Sequence, residues 1–475
     1  MSAAVVAVDL GATSGRVMLG YVGHDELRLV PVARFPNNPV RIVDGLHWNI
    51  LELYRNVTTG LASAVREEPD IRSIAVDSWA VDYALLRGDR MLGNPFHYRD
   101  DRNAAGVEAT HALVEPAELY KANGLQFLPF NTVYQLAAER LAGSLDGADS
   151  MLLIPDLVNF WLTGASRAEQ TNASTTGLLN VHGGCWDESL IERLGLPRGI
   201  LPEIVTPGST VGTLLPRVAA ELGAPSSLAV SAVGSHDTAS AVVAVPAADQ
   251  DFAYISSGTW SLVGVELEHP VVSQAGREAG FTNEGGVDGR IRFLQNVSGL
   301  WLLSESVRTW ERGGESIDLP TLIAQAAAVT TPVPVFDAGD ARFVAPGDMP
   351  ARIAAWCTER GLTPPASRAE FARSILESLA EAYARSLEAA AALSGTRIRV
   401  IHVVGGGSQN ALLCQLTADR TGLPVLAGPM EATAIGNVLV QARAQGLVAR
   451  DSSLEALRSI VAKTFLPVRY EPAAR

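Results

Sequence analysis

The sequence predicts an α/β protein of two related domains that face each other across a ligand cleft. Its 475 residues are more than one hydrophobic core usually organises. A glycine turn carrying Ser or Thr, set between two β-branched runs, occurs at Gly11 and again at Gly258, as an internal duplication would produce. Near the end, RIRVIHVVGGGSQNALLCQL reads as strand, triple glycine, helix. The boundary is expected at residue 246, giving an N-terminal domain 1–246 and a C-terminal domain 247–475.

Composition narrows the function classes. Lys and Arg number 37 against 51 Asp and Glu, a net charge of −14, and no basic run is present, so nucleic acid and anionic membranes are excluded as partners. The cysteines Cys185, Cys357 and Cys414 are scattered and form no CxxC pair, which points to a reducing cytoplasm and no structural zinc. No apolar run reaches the roughly 18 residues of a membrane span. MSAAVVAVDLGA lacks a basic leader region and reads as a first strand. A soluble cytoplasmic protein, monomeric or a small homo-oligomer, is the expectation.

In the first half, AVVAVDLGATSGRVMLGYV reads as strand, turn, strand, with Ala12, Thr13, Ser14, Gly15 and Arg16 at the bend as a phosphate loop. Asp9 ends the apolar run, where a carboxylate can meet a magnesium ion or its waters. The spacing is neither a P-loop nor a dinucleotide fingerprint. IRSIAVDSWAVDYALL, residues 71 to 86, is read as one strand broken in pattern by Asp77, Trp79 and Asp82. Acids to accept hydroxyl hydrogen bonds, with Trp79 and Tyr83 as an apolar wall, describe a sugar pocket; a half-exposed edge strand is the alternative. HYRDDR and GLQFLPFNTVYQL set exposed-type polar residues beside aromatics, and TNASTTGLL carries no chemistry by itself. GSHDTASAV then puts Asp237 at a strand-to-helix turn, flanked by His236 and Thr238. There a carboxylate can take a proton from a bound hydroxyl, or merely cap the helix.

The second half opens with AYISSGTWSLVGV, a hairpin whose turn holds Thr259 as a second phosphate loop. Asn296 is read as following a strand and preceding a helix, where it reads a ligand hydroxyl or caps that helix. Residues 313 to 365 read as a peripheral connection. Ser367 and Glu370 form a capping box for a long core helix that Gly395 stops. Gly405, Gly406 and Gly407 let a flat ligand approach the backbone before a helix start. Gly436, inside the last long helical pattern, marks close packing against another helix.

Together DLGATSGR, DSWAVDY, YRD, TNASTT, SHDT, SSGTW, VVGGGSQN and EATAIGN, in order over residues 5 to 445, resemble the FGGY carbohydrate kinases of the actin-like ATPase superfamily. The resemblance implies two actin-like, ribonuclease H-like ATPase domains with the catalytic cleft between them. It implies ATP-dependent phosphorylation of a sugar, with Mg2+, and within the family it is greatest to members that phosphorylate L-rhamnulose on its first hydroxyl. Fuculose, xylulose or polyol phosphorylation is the neighbouring reading; a non-catalytic nucleotide switch has no use for Asp237 beside a sugar pocket. Carried over by position, Asp237 matches the catalytic base, and His236, Thr238, Asn296, Ala80 and Asp82 the sugar contacts. Ala12 to Arg16 match the first phosphate loop and Thr259 the second, while Ser304, the triple glycine and Asn410 fall on the nucleotide side. Ala80 replaces a frequent glycine and Ser304 a frequent glutamine.

Overall fold

The computed structural model describes residues 3–23, 26–314 and 316–473; Met1 and Ser2, read above as the entry to the first strand, lie outside them. The chain forms two compact units. One comprises Met1–Ala248, Glu266–Phe293 and Ala432–Thr464, the other Asp249–Val265, Leu294–Glu431 and Phe465–Arg475. Beyond the crossing at residue 248 the chain returns to the first unit at Glu266 and again at Ala432.

The first unit is built on a six-stranded sheet in the order Thr210–Thr213, Ala229–Ser231, Ile71–Ser78, Ala3–Leu10, Ser14–Val22, Leu27–Pro36. Ala3–Leu10 is central and almost wholly buried, as its unbroken apolar run requires. It pairs antiparallel with Ser14–Val22 and parallel with Ile71–Ser78, a register that sets Asp9 opposite Asp77 at the carboxyl ends of both strands. Helix Ile50–Glu67 buries Leu53, Val57, Leu61 and Ala64 along one stripe against this sheet. Helix Ala432–Ala444 packs on the same strands and on helix Asp237–Val243. There Gly436 allows the close approach read from the sequence: a Cβ at this position would lie 1.8 Å from the Ser240 carbonyl oxygen.

The strand expected over 71–86 is two strands. Ile71–Ser78 stays in the main sheet, and Tyr83–Arg87 pairs with Ser150–Leu153 in a separate one. Between them Asp82 N–H donates to Ala80 O at 2.9 Å across Val81, whose φ is 68°. That is a γ-turn centred on a β-branched residue in left-handed backbone, a conformation held only when its surroundings enforce it. Thr132 Oγ1 and Gln135 Nε2 do so by donating to Val81 O at 2.7 and 3.3 Å. Tyr83, read as a pocket wall, packs instead in a core with Leu85, Val133 and Leu153. Further along the first unit, a short helix Glu188–Arg193 is followed by a 3-10 turn at Arg198–Ile200.

A second, seven-stranded sheet has the order Thr282–Gly285, Ile291–Ser298, Trp260–Leu267, Phe252–Ser257, Val400–Val404, Val425–Ala427, Val468–Tyr470, and its last six strands repeat the first ladder in reverse. Phe252–Ser257 makes an antiparallel hairpin with Trp260–Leu267 and a parallel ladder with Val400–Val404, the same relations that Ala3–Leu10 makes in the first unit. Each hairpin turn is closed by a glycine N–H, Gly11 to Ser14 O three residues on at 2.8 Å and Gly258 to Trp260 O two residues on at 2.9 Å. Helix Arg368–Ser394 has the expected capping box and ends at Gly395 with φ 74°. Residues 313–365 are more than a connection. They include helices Leu319–Ala327 and Met349–Glu359 and bury Phe336, Phe343 and Trp356, aromatics too widely spaced to show a period.

Candidate active site

Helix Asp237–Val243 begins directly at the candidate base. His236 is the N-cap residue and no side chain caps the helix, so the Asp237 carboxylate is not used as a cap. It remains 31% exposed, accepts from Thr238 Oγ1 at 3.2 Å and has His236 Nε2 at 3.4 Å from Oδ1. The chain before it is fastened from behind. Ser235 O accepts from Ser78 N–H at 2.9 Å, and Ser235 N–H and Oγ donate to Glu169 Oε2 at 3.0 and 2.7 Å. Glu169 also accepts from Thr171 N–H at 2.9 Å and Thr171 Oγ1 at 2.6 Å. Burial raises the Glu169 pKa, and these hydrogen bonds oppose the rise. TNASTT, silent as sequence, is thus part of the support under Asp237.

A second acidic centre lies at the ends of the two central strands. Burial, with the Asp237 charge adding to it and Arg16 and Arg34 opposing, pushes the Asp9 pKa up to about 6. Burial and then the Asp9 charge raise the Asp77 pKa well above its ordinary value. Arg16 Nε is 3.2 Å from Asp9 Oδ2, and Asn437 Nδ2 donates to Asp77 Oδ2 at 2.5 Å, while Asp77 Oδ1 is buried without a hydrogen-bond partner. Neighbouring carboxylates with an unused oxygen have the donor chemistry a hard divalent cation takes. Among the described residues no cluster of three or more His, Cys, Asp or Glu forms a metal cage.

Beside this centre the Gly11 turn is braced by buried Asn37, which donates from Nδ2 to Gly11 O and from its backbone N–H to Thr13 O, both at 3.0 Å. Thr13 is exposed, Ala12, Ser14 and Arg16 partly so. Gly15 is glycine for packing reasons, since a Cβ there would meet the Phe35 ring at 2.3 Å.

Asp82 departs from its expected place. It is fully buried, and its oxygens accept from Trp48 Nε1 at 2.6 Å, Trp79 Nε1 at 3.1 Å, Tyr98 N–H at 3.2 Å and Gln135 Nε2 at 2.9 Å. With that many donors on it the carboxylate is a hub that fixes the γ-turn and the two indoles, not a group presented to ligand. Burial raises its pKa to about 6 against the pull of those bonds. Ala80, on the turn itself, is only partly buried. His97, read as exposed, is stacked on Trp48 and Tyr98 at ring distances of 4.2 and 4.5 Å.

In the second unit the three glycines have different reasons. Gly405 has φ 80°, and a Cβ at Gly407 would lie 2.0 Å from Ser257 Oγ, whereas one at Gly406 would meet nothing within 4 Å. Gly406 is therefore the exposed face of the loop. Asn410 caps helix Ala411–Thr421 through Oδ1, accepting from Leu413 N–H at 3.0 Å. Thr259 O accepts from Trp301 N–H at 3.1 Å, which ties the Gly258 turn to helix Trp301–Glu311, where Ser304 is exposed. Asn296 lies within strand Ile291–Ser298 and not after it, so it cannot cap that helix.

Sequence reading singled out neither Asn37, Glu169, Glu284, Arg292 nor Asn437 for this site. Each is a polar residue inside an apolar or loop segment, and Asn437 carried a trace as the end of EATAIGN.

Comparison with known proteins agrees with this arrangement. Residues 4–244 match the FGGY family of carbohydrate kinases, N-terminal domain, and residues 253–445 its C-terminal domain. The chain belongs to the FGGY family of carbohydrate kinases; it is a phosphotransferase with the actin-like ATPase fold. Among curated relatives, a rhamnulokinase of Bacteroides thetaiotaomicron is 41% identical over 466 residues, covering 97% of this chain and 95% of its own. One of Pectobacterium atrosepticum is 43% identical over 479 residues, covering 99% and 93%. Solved structures share the fold at low identity. A xylulose kinase from Lactobacillus acidophilus has a TM-score of 0.78 at 17% identity, covering 99% of this chain and 94% of its own. A Plasmodium falciparum glycerol kinase with ADP has 0.77 at 17%, with the same coverage.

Proposed function

We propose that this protein transfers the γ-phosphoryl group of ATP to O1 of L-rhamnulose, giving L-rhamnulose 1-phosphate and ADP. The observation that carries the reading is the near-full-length identity of about two fifths to proteins named rhamnulokinase. The local chemistry supports it. Asp237 is the general base: its carboxylate is accessible, is not consumed as a helix cap, and stands beside His236 and Thr238, which hold the acceptor sugar. As the hydroxyl attacks phosphorus, its proton passes to Asp237. Phosphoryl transfer asks little more of a protein than positioning and charge neutralisation.

Asp9, with Asp77 behind it, would hold Mg2+, which when bound neutralises charge on the phosphates. The Gly11 turn, residues Ala12 to Arg16, and the Gly258 turn with Thr259 supply N–H and hydroxyl donors to phosphate. Gly405 to Gly407, Asn410 and Ser304 form the nucleoside side, with Gly406 open to a flat ring. Ala80 and Asn296 complete the sugar contacts, and Asp82 acts through the turn it fixes. The enzyme is placed by this reading in the cytoplasm, where it takes a small sugar and ATP; among the described residues no helix is long and apolar enough to cross a membrane.

The test is an ADP-release assay over a panel of acceptors. The kcat/KM for L-rhamnulose should exceed those for L-fuculose and L-xylulose, with glycerol very poor, since a missing or inverted hydroxyl leaves a buried partner unpaired. Ala80→Gly should relax this order without changing the KM for ATP. Preference for xylulose or glycerol would reject the proposed substrate and leave the family assignment intact.

A further inference from the structure

We infer that Glu284 and Arg292 are positioning residues that hold the His236 imidazole with Nε2 toward Asp237, within a closed ring of contacts completed by Thr171 and Ser174. The inference rests on Asp237 being the base and His236 an acceptor-side group.

His236 Nδ1 lies 3.2 Å from Glu284 Oε2 and 3.1 Å from Arg292 Nη2. Both groups face that one nitrogen, which accepts from Arg292 Nη2 in one tautomer and carries its proton toward Glu284 Oε2 in the other, so Nε2, 3.4 Å from Asp237 Oδ1, is the ring atom left for the base and the sugar hydroxyl. Arg292 Nη1 stands 3.0 Å from Glu284 Oε2, and its Nε donates to Gly285 O at 2.9 Å. Gly285 N–H in turn donates to Ser174 Oγ at 2.8 Å, and Ser174 Oγ donates to Thr171 O at 2.7 Å. Thr171 Oγ1 closes the circuit by accepting from the His236 backbone N–H at 3.3 Å. Both the ring and the backbone of His236 are thereby fixed from one connected set of groups.

Energetics argue against a purely structural role. The Arg292 side chain is 0% and that of Glu284 7% exposed, and a buried ion pair is often no more stabilising than apolar residues of the same volume. The guanidinium here touches three different partners, a geometry that fixes an orientation. Burial pushes the Glu284 pKa up, but the charges of Arg292 and His236 outweigh it and hold the carboxyl below its ordinary value. The carboxylate needed to hold the imidazole is thus kept ionised by the arginine behind it. TNASTT, a motif to which phosphate and base chemistry assign nothing, acquires a function in this way.

A double-mutant cycle tests the inference on whichever ketose the wild-type enzyme turns over fastest, so failure of the L-rhamnulose reading leaves the test in place. Glu284→Gln should lower kcat roughly 10- to 100-fold, the scale of a misplaced catalytic group, and leave the KM for ATP within about twofold. Because Glu284 acts through His236, adding Glu284→Gln to His236→Ala should cost nothing further. A wild-type-like kcat for Glu284→Gln, or the same fractional loss with and without the histidine, would overturn the proposal. Should Glu284→Gln fail to fold, Arg292→Lys, which keeps the charge but not the three contacts, takes its place in the cycle. Asp237→Asn, measured alongside, separates the two levels: near-normal turnover there removes the base assignment, whereas additivity beside an inactive Asp237→Asn removes only the positioning role.

Discussion

Gly436→Ala sets two physical effects against each other at one atom. In the interior of helix Ala432–Ala444, exchanging Gly for Ala should by propensity alone stabilise the protein by about 1 kcal/mol. Packing says the reverse. The added Cβ would sit 1.8 Å from the Ser240 carbonyl oxygen, 2.6 Å from its carbon and 3.2 Å from its Cα, all of them backbone, so no side-chain rotation relieves the clash. Helices 432–444 and 237–243 must move apart by more than an ångström, and overpacking of this kind costs about 1–3 kcal/mol or more. Less the roughly 1 kcal/mol that propensity returns, a net loss of about 1–2 kcal/mol at roughly 2–4 °C per kcal/mol should lower Tm by about 2–8 °C. Since Ser240 is one turn from Asp237, kcat should fall as well, by up to about 100-fold for an ångström of displacement. Thermal unfolding by circular dichroism and steady-state turnover give the two readings. A Tm equal to or above wild type, with unchanged kcat, would refute the packing argument.

Three further outcomes follow from single contacts. Burial and the Arg99 charge hold the His97 pKa at about 3, below the roughly 6.5 of an unfolded chain, so its contribution is present above pH 6.5 and lost as pH falls toward 3. Asp82, raised to about 6, works in the opposite sense, contributing below about pH 3.9 and losing that contribution as pH rises through 6. Urea unfolding between pH 7 and 4 should therefore show a flatter acid decline in His97→Phe than in wild type, by at most about 1.4 kcal/mol per pH unit; parallel curves would disprove it. Glu266→Gln leaves Arg458, 2% exposed and paired at 2.8 Å, without its counter-charge, and should cost about 3–5 kcal/mol by chemical denaturation. Gly406→Ala should fold normally and raise the KM for ATP, whereas Gly407→Ala should lower Tm, because only the latter Cβ collides with Ser257; identical behaviour of the two would contradict the roles given to the loop.

Much of this was legible in the sequence because the signals are local. The Ala3–Leu10 and Ser14–Val22 hairpin, the capping box at Ser367, the strand–glycine–helix at Gly405 and the tight approach at Gly436 all follow from neighbours in the chain. The duplication was visible at its turns and proved to extend to the strand order. Long-range facts were not visible. Asp82 is a buried hub because Trp48, Tyr98 and Gln135 converge on it from distant segments, and the strained Val81 that splits the expected strand is held by Thr132 and Gln135. The supports of His236 come from residues 171, 174, 284 and 292, none close to it in sequence.

The central claim is that Asp237 accepts the acceptor hydroxyl's proton in an ATP-dependent ketose kinase, and its most direct test is paired turnover and binding in Asp237→Asn. An ADP-release assay with L-rhamnulose should show a loss of roughly 100-fold or more in kcat. Calorimetric titration of the same variant should show ketose affinity within a few-fold of wild type, because His236, Thr238 and their supports are untouched. A folded Asp237→Asn enzyme that turns over at a near wild-type rate would contradict the account.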